Sequence, residues 1–441
     1  MTRKDVDRRT LLKGMMAGGS FTAGGLFTTL GMPQQAAYAQ SLGGAQTLCV
    51  RQAGACGDGQ THDAEVLQRI LNDLSSKGGG VAEFPPGRYI LEKTLFIPTG
   101  VHIIGHGPST VLEGFRPDDV NGFALIANQG IVSEKGYDGA SNFSVRNIAI
   151  DSPRTNGIVL VHARNGYFSH IYGLDVYHHH FDIAGSKNII TENIYLTGRS
   201  GTAPFQIDGS PFNNNIWDGK TNIVPIRDET ENDGIFLSRA VIHPTNRPNH
   251  GIHLHRDGGR NIFIDSVLIE HVENGVFRDR NTHRTDLFFN NVVIKDVAGH
   301  GINFRNTDKP DQRVYLNNIA IHDVHGDGLV QYHGCRDMTI ANVKAVADDQ
   351  TGPQRLALHD VHRCTLDNLY VYGNGTGCAV MMKDCRHMLI GKTIAQSVHQ
   401  SLCLEDCAGI QYSGLCEIAE DGSTVEPNIR GRECLAHWSQ S

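Results

Sequence analysis

Residues 54–112 read GACGDGQTHDAEVLQRILNDLSSKGGGVAEFPPGRYILEKTLFIPTGVHIIGHGPSTVL. Within them AEVLQRILNDL (64–74) sets Val66, Leu67, Ile70, Leu71 and Leu74 on one helical face, with Asp63 just upstream as a cap. The next segment, GGGVAEFPPGRYIL (78–91), reads as turn, strand, turn, strand. One short helix followed at once by short β-rich runs raises the question of what lies downstream.

Downstream from Val101 the chain is a succession of such runs broken by Gly, Asn and Asp: FSVRNIAI (143–150), KNIITENIYL (187–196), RNIFIDSVLI (260–269), DLFFNNVVIKDV (286–297), QRVYLNNIAIHDV (312–324) and CTLDNLYVY (364–372). Apolar and polar residues alternate, so one face of each run points inward and the other outward. No run buries its apolar face alone, and a stack of many does. Asn147, Asn193, Asn291, Asn318, Asn342 and Asn368 recur at similar points and predict a ladder in which each amide bonds the backbone of the next coil.

The segment 54–112, with its helix ahead of the strands, resembles the N-terminal region of the pectate-lyase-like right-handed parallel β-helix superfamily, which includes polygalacturonases and related glycoside hydrolases. The resemblance implies an all-β, right-handed parallel β-helix with a short N-terminal capping helix that covers the open end of the coil. The expected organisation is a cap with the helix over 40–100, the β-helix over 101–411 and a tail or cap over 412–441.

Ahead of these, DRRTLLKG (7–14) and the Gly-rich apolar stretch ending near Ala39 predict a twin-arginine export signal over residues 1–39, and hence a bacterial periplasmic or secreted protein. Removing those residues, which carry a net +3, takes the formal charge from −8 to −11. So acidic a chain is unsuited to nucleic acid, and no span is expected to cross a membrane in the mature protein.

The 10 cysteines divide in two. Cys335, Cys364, Cys385 and Cys407 recur at 29, 21 and 22 residues and predict a buried column of stacked thiols. Cys49 and Cys56 are the expected disulfide, given an oxidising compartment.

Candidate chemistry centres on Asn232 to Asp257, NDGIFLSRAVIHPTNRPNHGIHLHRD. Gly234, Gly251, Gly275, Gly301 and Gly328 are taken as one point in five turns, at intervals of 17, 24, 26 and 27. Asp233 and His250 then precede the glycines, and Arg239, Arg256, Arg280 and Arg305 follow them as a column about 4.8 Å per rung. Such a column, with His253, His255 and Arg278 nearby, suits an acidic polysaccharide, because the planar guanidinium binds both oxygens of a carboxylate.

PFQIDG (204–209), NDGIFL (232–237), NHGIHL (249–254) and FRDR (277–280) are similar to the successive motifs of polygalacturonases, with Asn232 in place of the first aspartate of a pair. By that resemblance Asp208 and Asp233 are the acid and base, His250 their partner, and Arg278 or Arg280 the binder of substrate carboxylate. Hydrolysis of a glycosidic bond needs two such carboxyl groups. The expected function is therefore hydrolysis of a uronate-containing polysaccharide. A lyase or C5-epimerase using His250, His253, Tyr332 or an arginine as base is one alternative, and a non-enzymatic adhesin or carbohydrate-binding fibre another.

No cofactor is expected. Zn at His178, His179, His180 and Asp182 with His253 and His255, and Ca at the Asp-rich turns 321–328 and 347–349, are the metal options weighed.

Overall fold

The computed structural model describes residues 46–114, 124–130, 136–209, 215–217, 223–225, 230–255, 259–279, 283–305, 309–326, 330–347, 354–373, 377–396, 398–419 and 423–435. The export signal expected over 1–39 lies outside them. No described helix is long and apolar enough to cross a membrane.

The helix forms at Ala64–Ser76 and buries Ala64, Leu67, Ile70, Leu71 and Leu74. Asp63 stands at its N-cap position without capping it. Its carboxylate instead accepts the backbone N–H groups of Cys56 (2.7 Å) and Gly57 (2.9 Å), which the preceding tight turn leaves without partners. Gln68 explains how the helix closes the coil. Its amide donates to Phe96 O (2.9 Å) and accepts from Phe96 N (2.8 Å), supplying the bonds of a neighbouring strand to the first short strand, Leu95–Ile97.

Beyond the helix the chain winds into a right-handed parallel β-helix of about 12 turns. One sheet is built of short strands, among them Phe181–Ala184, Phe205–Asp208, His250–His255, Asn274–Arg278 and Ile302–Phe304, each parallel to the next. Longer strands such as Asn232–Ile242, Gly259–Val272, Thr285–Val297 and Asp311–Val324 make the remaining walls. Inward side chains run in columns along the axis: Ile189, Ile235, Ile262, Leu287, Val314, Met338, Cys364, Met388 and Ile410 are successive rungs of one.

The long strands bend at corners five residues apart, where the backbone is left-handed. Asp286, Asn291 and Asp296 have φ of 58°, 54° and 50°, and Arg313, Asn318 and Asp323 repeat the set one coil later. A left-handed residue needs a small or self-satisfying polar side chain, which is why Asn and Asp recur. All six ladder asparagines occupy such corners, with φ of 52–55°. Amides of the ladder bond side chains of the neighbouring coil rather than its backbone: Asn368 Nδ2 donates to Asn342 Oδ1 at 2.6 Å, Asn342 Nδ2 to Asn317 Oδ1 at 2.8 Å and Asn291 Nδ2 to Asp265 Oδ1 at 3.0 Å. The corner conformation turns the side chain outward along the axis, away from the strand carbonyls.

The glycine alignment is corrected. Gly251, Gly275 and Gly301 do share a register, but Gly234 belongs to a long strand, paired beside Asn261. Gly234 and Arg239 are two corners, with φ of 75° and 51°, which is why they lie five apart.

The thiol column also differs. Cys335, Cys385 and Cys407 stack in one buried column with Val361 between the first two, while Cys364 lies in the neighbouring column beside Met338 and Met388. Cys49 and Cys56 are free, and the disulfide joins Cys378 to Cys403, one coil apart on the outer face of the short-strand sheet.

Candidate functional site

The outward positions of the short-strand sheet form two adjacent columns. Asp182, Gln206, His253, Phe277 and Asn303 are rungs of the first. Asp208 and His255 pair in the second, which continues through Asp279 and Arg305, the residues that follow paired Arg278 and Phe304. Alternation requires this: Ile252 and Leu254 point into the core, so His253 and His255 point out.

His255 joins three coils. Its Nδ1 lies 3.1 Å from Asp208 Oδ2 and its Nε2 3.2 Å from Asp279 Oδ2. His253 meets the same Asp279 oxygen through Nε2 (3.2 Å) and gives its Nδ1 proton to Gln206 Oε1 (2.9 Å). Gln206 is held in turn by Asp182 Oδ1 at 3.2 Å. With a carboxylate on each nitrogen, His255 donates twice only as imidazolium, so the Asp208–His255–Asp279 chain stores one proton among three groups. Burial pushes Asp279 upward, but the His253 hydrogen bond and the nearby imidazoles of His253, His255 and His250 outweigh it and hold the carboxyl below its ordinary range. Asp208 is 4% exposed, whereas His255 and Asp279 reach solvent at 25% and 31%.

Around this chain lie further groups. His250 stacks on Phe277 at 4.0 Å and neighbours His253 at 4.6 Å between ring centres, and burial pushes its pKa down to about 3. The Arg305 guanidinium lies over the other residue of that stack, 4.6 Å from the Phe277 ring centre. His178 bonds Thr202 Oγ1 (3.0 Å) on the rim, and burial lowers both His178 and His179, with His253 and His255 close enough to add to the effect.

Several expected site residues are placed elsewhere. Asp233 stands on the long-strand sheet and binds Lys187 Nζ (3.0 Å), Arg260 Nη2 (3.1 Å) and Asn261 Nδ2 (2.8 Å). Burial raises its pKa, but these three donors outweigh burial and hold it below its ordinary range, bonded to Lys187, Arg260 and Asn261 and not to Asp208. Arg239 bonds Glu192 and Asn193 on the same wall. Arg278 takes an inward position, fully buried, and pairs with buried Asp311 at 2.8 Å, so it is closed to substrate. Tyr332 is likewise in the core, donating to Asp311. Arg256 and Arg280 lie outside the described residues. Asp208, His250, His253, His255 and Arg305 lie together on the outer face of the short-strand sheet, where the groove is expected.

Asp279 and Gln206 carry the centre, and neither was singled out as a site residue from sequence. The signal was present: four residues after Gly251, Gly275 and Gly301 come His255, Asp279 and Arg305. Among the described residues no group of three or more His, Cys, Asp or Glu is arranged to hold a metal ion. Asp323, in one Asp-rich turn, is a corner residue bonded to His322.

The fold and a sequence match place the chain in the pectate-lyase-like parallel β-helix superfamily. Residues 48–171 match the family described as rhamnogalacturonase A/epimerase, pectate lyase-like, a span that ends before Asp182. The chain is similar to three solved structures at the level of fold. For tailspike protein 3 of bacteriophage CBA120 the TM-score is 0.58 at 12% identity, covering 96% of this chain and 66% of that one. For PfbA, a surface adhesin of Streptococcus pneumoniae, it is 0.53 at 14%, covering 87% and 96%. For the A-module of the Azotobacter vinelandii mannuronan C-5 epimerase AlgE6 it is 0.52 at 13%, covering 88% and 97%. The curated relatives it matches by sequence are much longer, and the chain spans 5%, 24% and 11% of their lengths.

Proposed function

We propose that the chain is an enzyme acting on an acidic, uronate-containing polysaccharide, with Asp208, His255, Asp279 and His253 as its proton-transfer centre and Arg305 as binder of the substrate carboxylate. The observation that carries the reading is His255 bridging Asp208 and Asp279. A passive surface has no use for a half-buried chain of three titratable groups ending in an ionised carboxylate that reaches solvent. Relatives in the superfamily include an epimerase as well as an adhesin, and both are consistent with a carbohydrate partner.

The geometry favours proton abstraction at C5 over hydrolysis. Acid and base touch rather than face each other across a gap, and a guanidinium stands one rung from the base, where it neutralises the carboxylate as charge develops beside it. Asp279 takes the C5 proton. The electron pair then either forms the C4–C5 double bond as the O4 leaving group takes a proton from His255, or is reprotonated at C5 by a solvent water on the opposite face.

Hydrolysis retains one supporting observation. Two hydrogen bonds plus one imidazole set an upper bound of about 8.5 Å between the Asp208 and Asp279 oxygens, compatible with the roughly 6.5–9.5 Å that inversion needs.

The test is digestion of a panel of uronate polymers by purified protein. Ultraviolet-absorbing unsaturated ends identify elimination, new reducing ends without them hydrolysis, and altered uronate stereochemistry epimerisation. Tight binding with none of the three would sink the enzyme reading and leave a carbohydrate-binding fibre.

A further inference from the structure

Beneath the groove, in the core, lies a cluster of charge. Arg278, Arg284 and Asp311 are each 0% exposed. Arg278 occupies an inward column whose other rungs are Leu254, Phe304 and Tyr332, so an apolar side chain fits the slot. Its guanidinium lies 5.3 and 5.7 Å from the Phe304 and Tyr332 ring centres. Asp311 Oδ2 accepts from Arg278 Nη1 (2.8 Å) and Tyr332 OH (2.5 Å), and its Oδ1 accepts the backbone N–H of Arg284 (2.6 Å).

The outer ends of both guanidinium groups go to backbone carbonyls. Arg284 Nη2 donates to His255 O at 3.1 Å. Arg278 Nη2 donates to His333 O at 2.7 Å and, by a shorter contact, to Arg305 O. His255 and Arg305 belong to the outward column that forms the groove, and His333 follows Tyr332 one coil later. Their carbonyls lie where the short strands leave the sheet.

Stability does not account for this arrangement. Two cations and one anion pay a desolvation cost in the core, and replacing such a group by apolar residues of similar volume is often neutral or stabilising. What the cluster supplies is geometry: one carboxylate holds the Arg278 fork and the Arg284 backbone, and the two forks bond the carbonyls of His255, Arg305 and His333.

We propose that Arg278, Arg284 and Asp311 are positioning residues, an internal strut that sets the direction of the His255 and Arg305 side chains. The inference rests on the functional reading above for its kinetic consequence, and on the structure alone for its mechanical one.

Two measurements separate these. The quadruple variant Arg278→Met, Arg284→Met, Asp311→Leu, Tyr332→Phe removes the whole charged cluster with both backbone limbs and fills its space. It is expected to melt at an unchanged or higher temperature, to exchange the amide hydrogens of segments 252–255 and 302–305 at least tenfold faster, and to lose about 10- to 100-fold in kcat with a displaced pH profile. Wild-type exchange in both segments in the folded variant overturns the strut. If the quadruple variant does not fold, Arg278→Lys, which keeps the charge and loses the fork, is read by exchange in segment 302–305. If the wild-type protein turns over no uronate polymer, the functional reading fails while the exchange measurement still decides the strut. Faster exchange with unchanged kcat and pH profile overturns its link to the reaction.

Discussion

Asp279 and His255, on adjacent coils, meet at 3.2 Å between Oδ2 and Nε2, and the same oxygen is reached by His253. A single carboxylate oxygen thus organises two imidazoles on one strand. Its ionisation governs whether both rings are held. Asp279→Asn is therefore expected to lower turnover of the responsive uronate polymer by about 100-fold or more, a range typical of a lost general base, with the coil folded. Steady-state kinetics beside a circular-dichroism spectrum checks it, and wild-type turnover would remove Asp279 from the centre.

Arg305→Ala is expected to raise KM for anionic substrate more than it lowers kcat, and to flatten the dependence of KM on salt. Exposed charge attraction is screened within about 8 Å at physiological ionic strength, so the wild-type advantage is largest in dilute buffer. Arg305→Lys should recover the salt dependence and only part of the affinity, since an ammonium cannot grip both carboxylate oxygens. An unchanged salt slope in the alanine variant contradicts the assignment.

His250 makes acid destabilising. Burial first, then neighbouring His253, depresses its pKa from 6.5 to about 3 in the folded chain. Between those values the unfolded chain binds a proton that the folded chain does not, so stability falls as pH drops through this window and levels off below it. His250→Phe, which keeps the stack on Phe277, should flatten that limb in urea titrations from pH 6.5 to 3. A limb of unchanged slope assigns the acid sensitivity to other groups.

Cys378 and Cys403 close a loop with a sequence separation of 25. Removing that link by Cys403→Ser should destabilise the chain by about 3 kcal/mol, from the loop entropy restored to the unfolded state. Proteolysis under native conditions should then begin in the C-terminal coils. Peptide mapping without reductant should recover the 378–403 link, and a 49–56 link in its place would show the connectivity to be wrong.

Asn318→Ala keeps a β-carbon in a left-handed corner with φ of 54° without the polar side chain that makes this conformation tolerable, and removes an amide from the ladder. The two effects together should cost about 2 kcal/mol. Asn318→Gly should recover the backbone part and leave only the lost hydrogen bond. Equal losses in the two variants would mean that conformation plays no part.

The fold was legible because its signals are local. Alternation along each run and the frequent Asn or Asp at the corners are written into consecutive residues, and the capping helix announces itself by spacing. The wall to which a run belongs was harder to read. NDGIFLSR and NHGIHLHR look alike, yet the first holds two left-handed corners while His250–His255 of the second form a short strand, and the difference is in φ rather than in residue type. Parity would have placed Arg278: Val276 points in, Phe277 out and Arg278 in. Charge argued against parity, and the core pair with Asp311 reconciles them. Asp279 was hidden for the opposite reason, standing at the right register behind two more conspicuous arginines. The disulfide depends on coil length, which only the assembled register supplies.

The five-residue spacing of corners makes the solenoid behave like a ratchet. A single residue inserted between Asp286 and Asn291 would swing every later side chain on that wall from core to solvent until the next corner. A whole coil added or removed changes only the height of the stack. Length variation among descendants of such a chain should thus come in complete coils or at the turns beyond the corners, where groove specificity can drift while the proton chain of Asp208, His255 and Asp279 keeps its alignment.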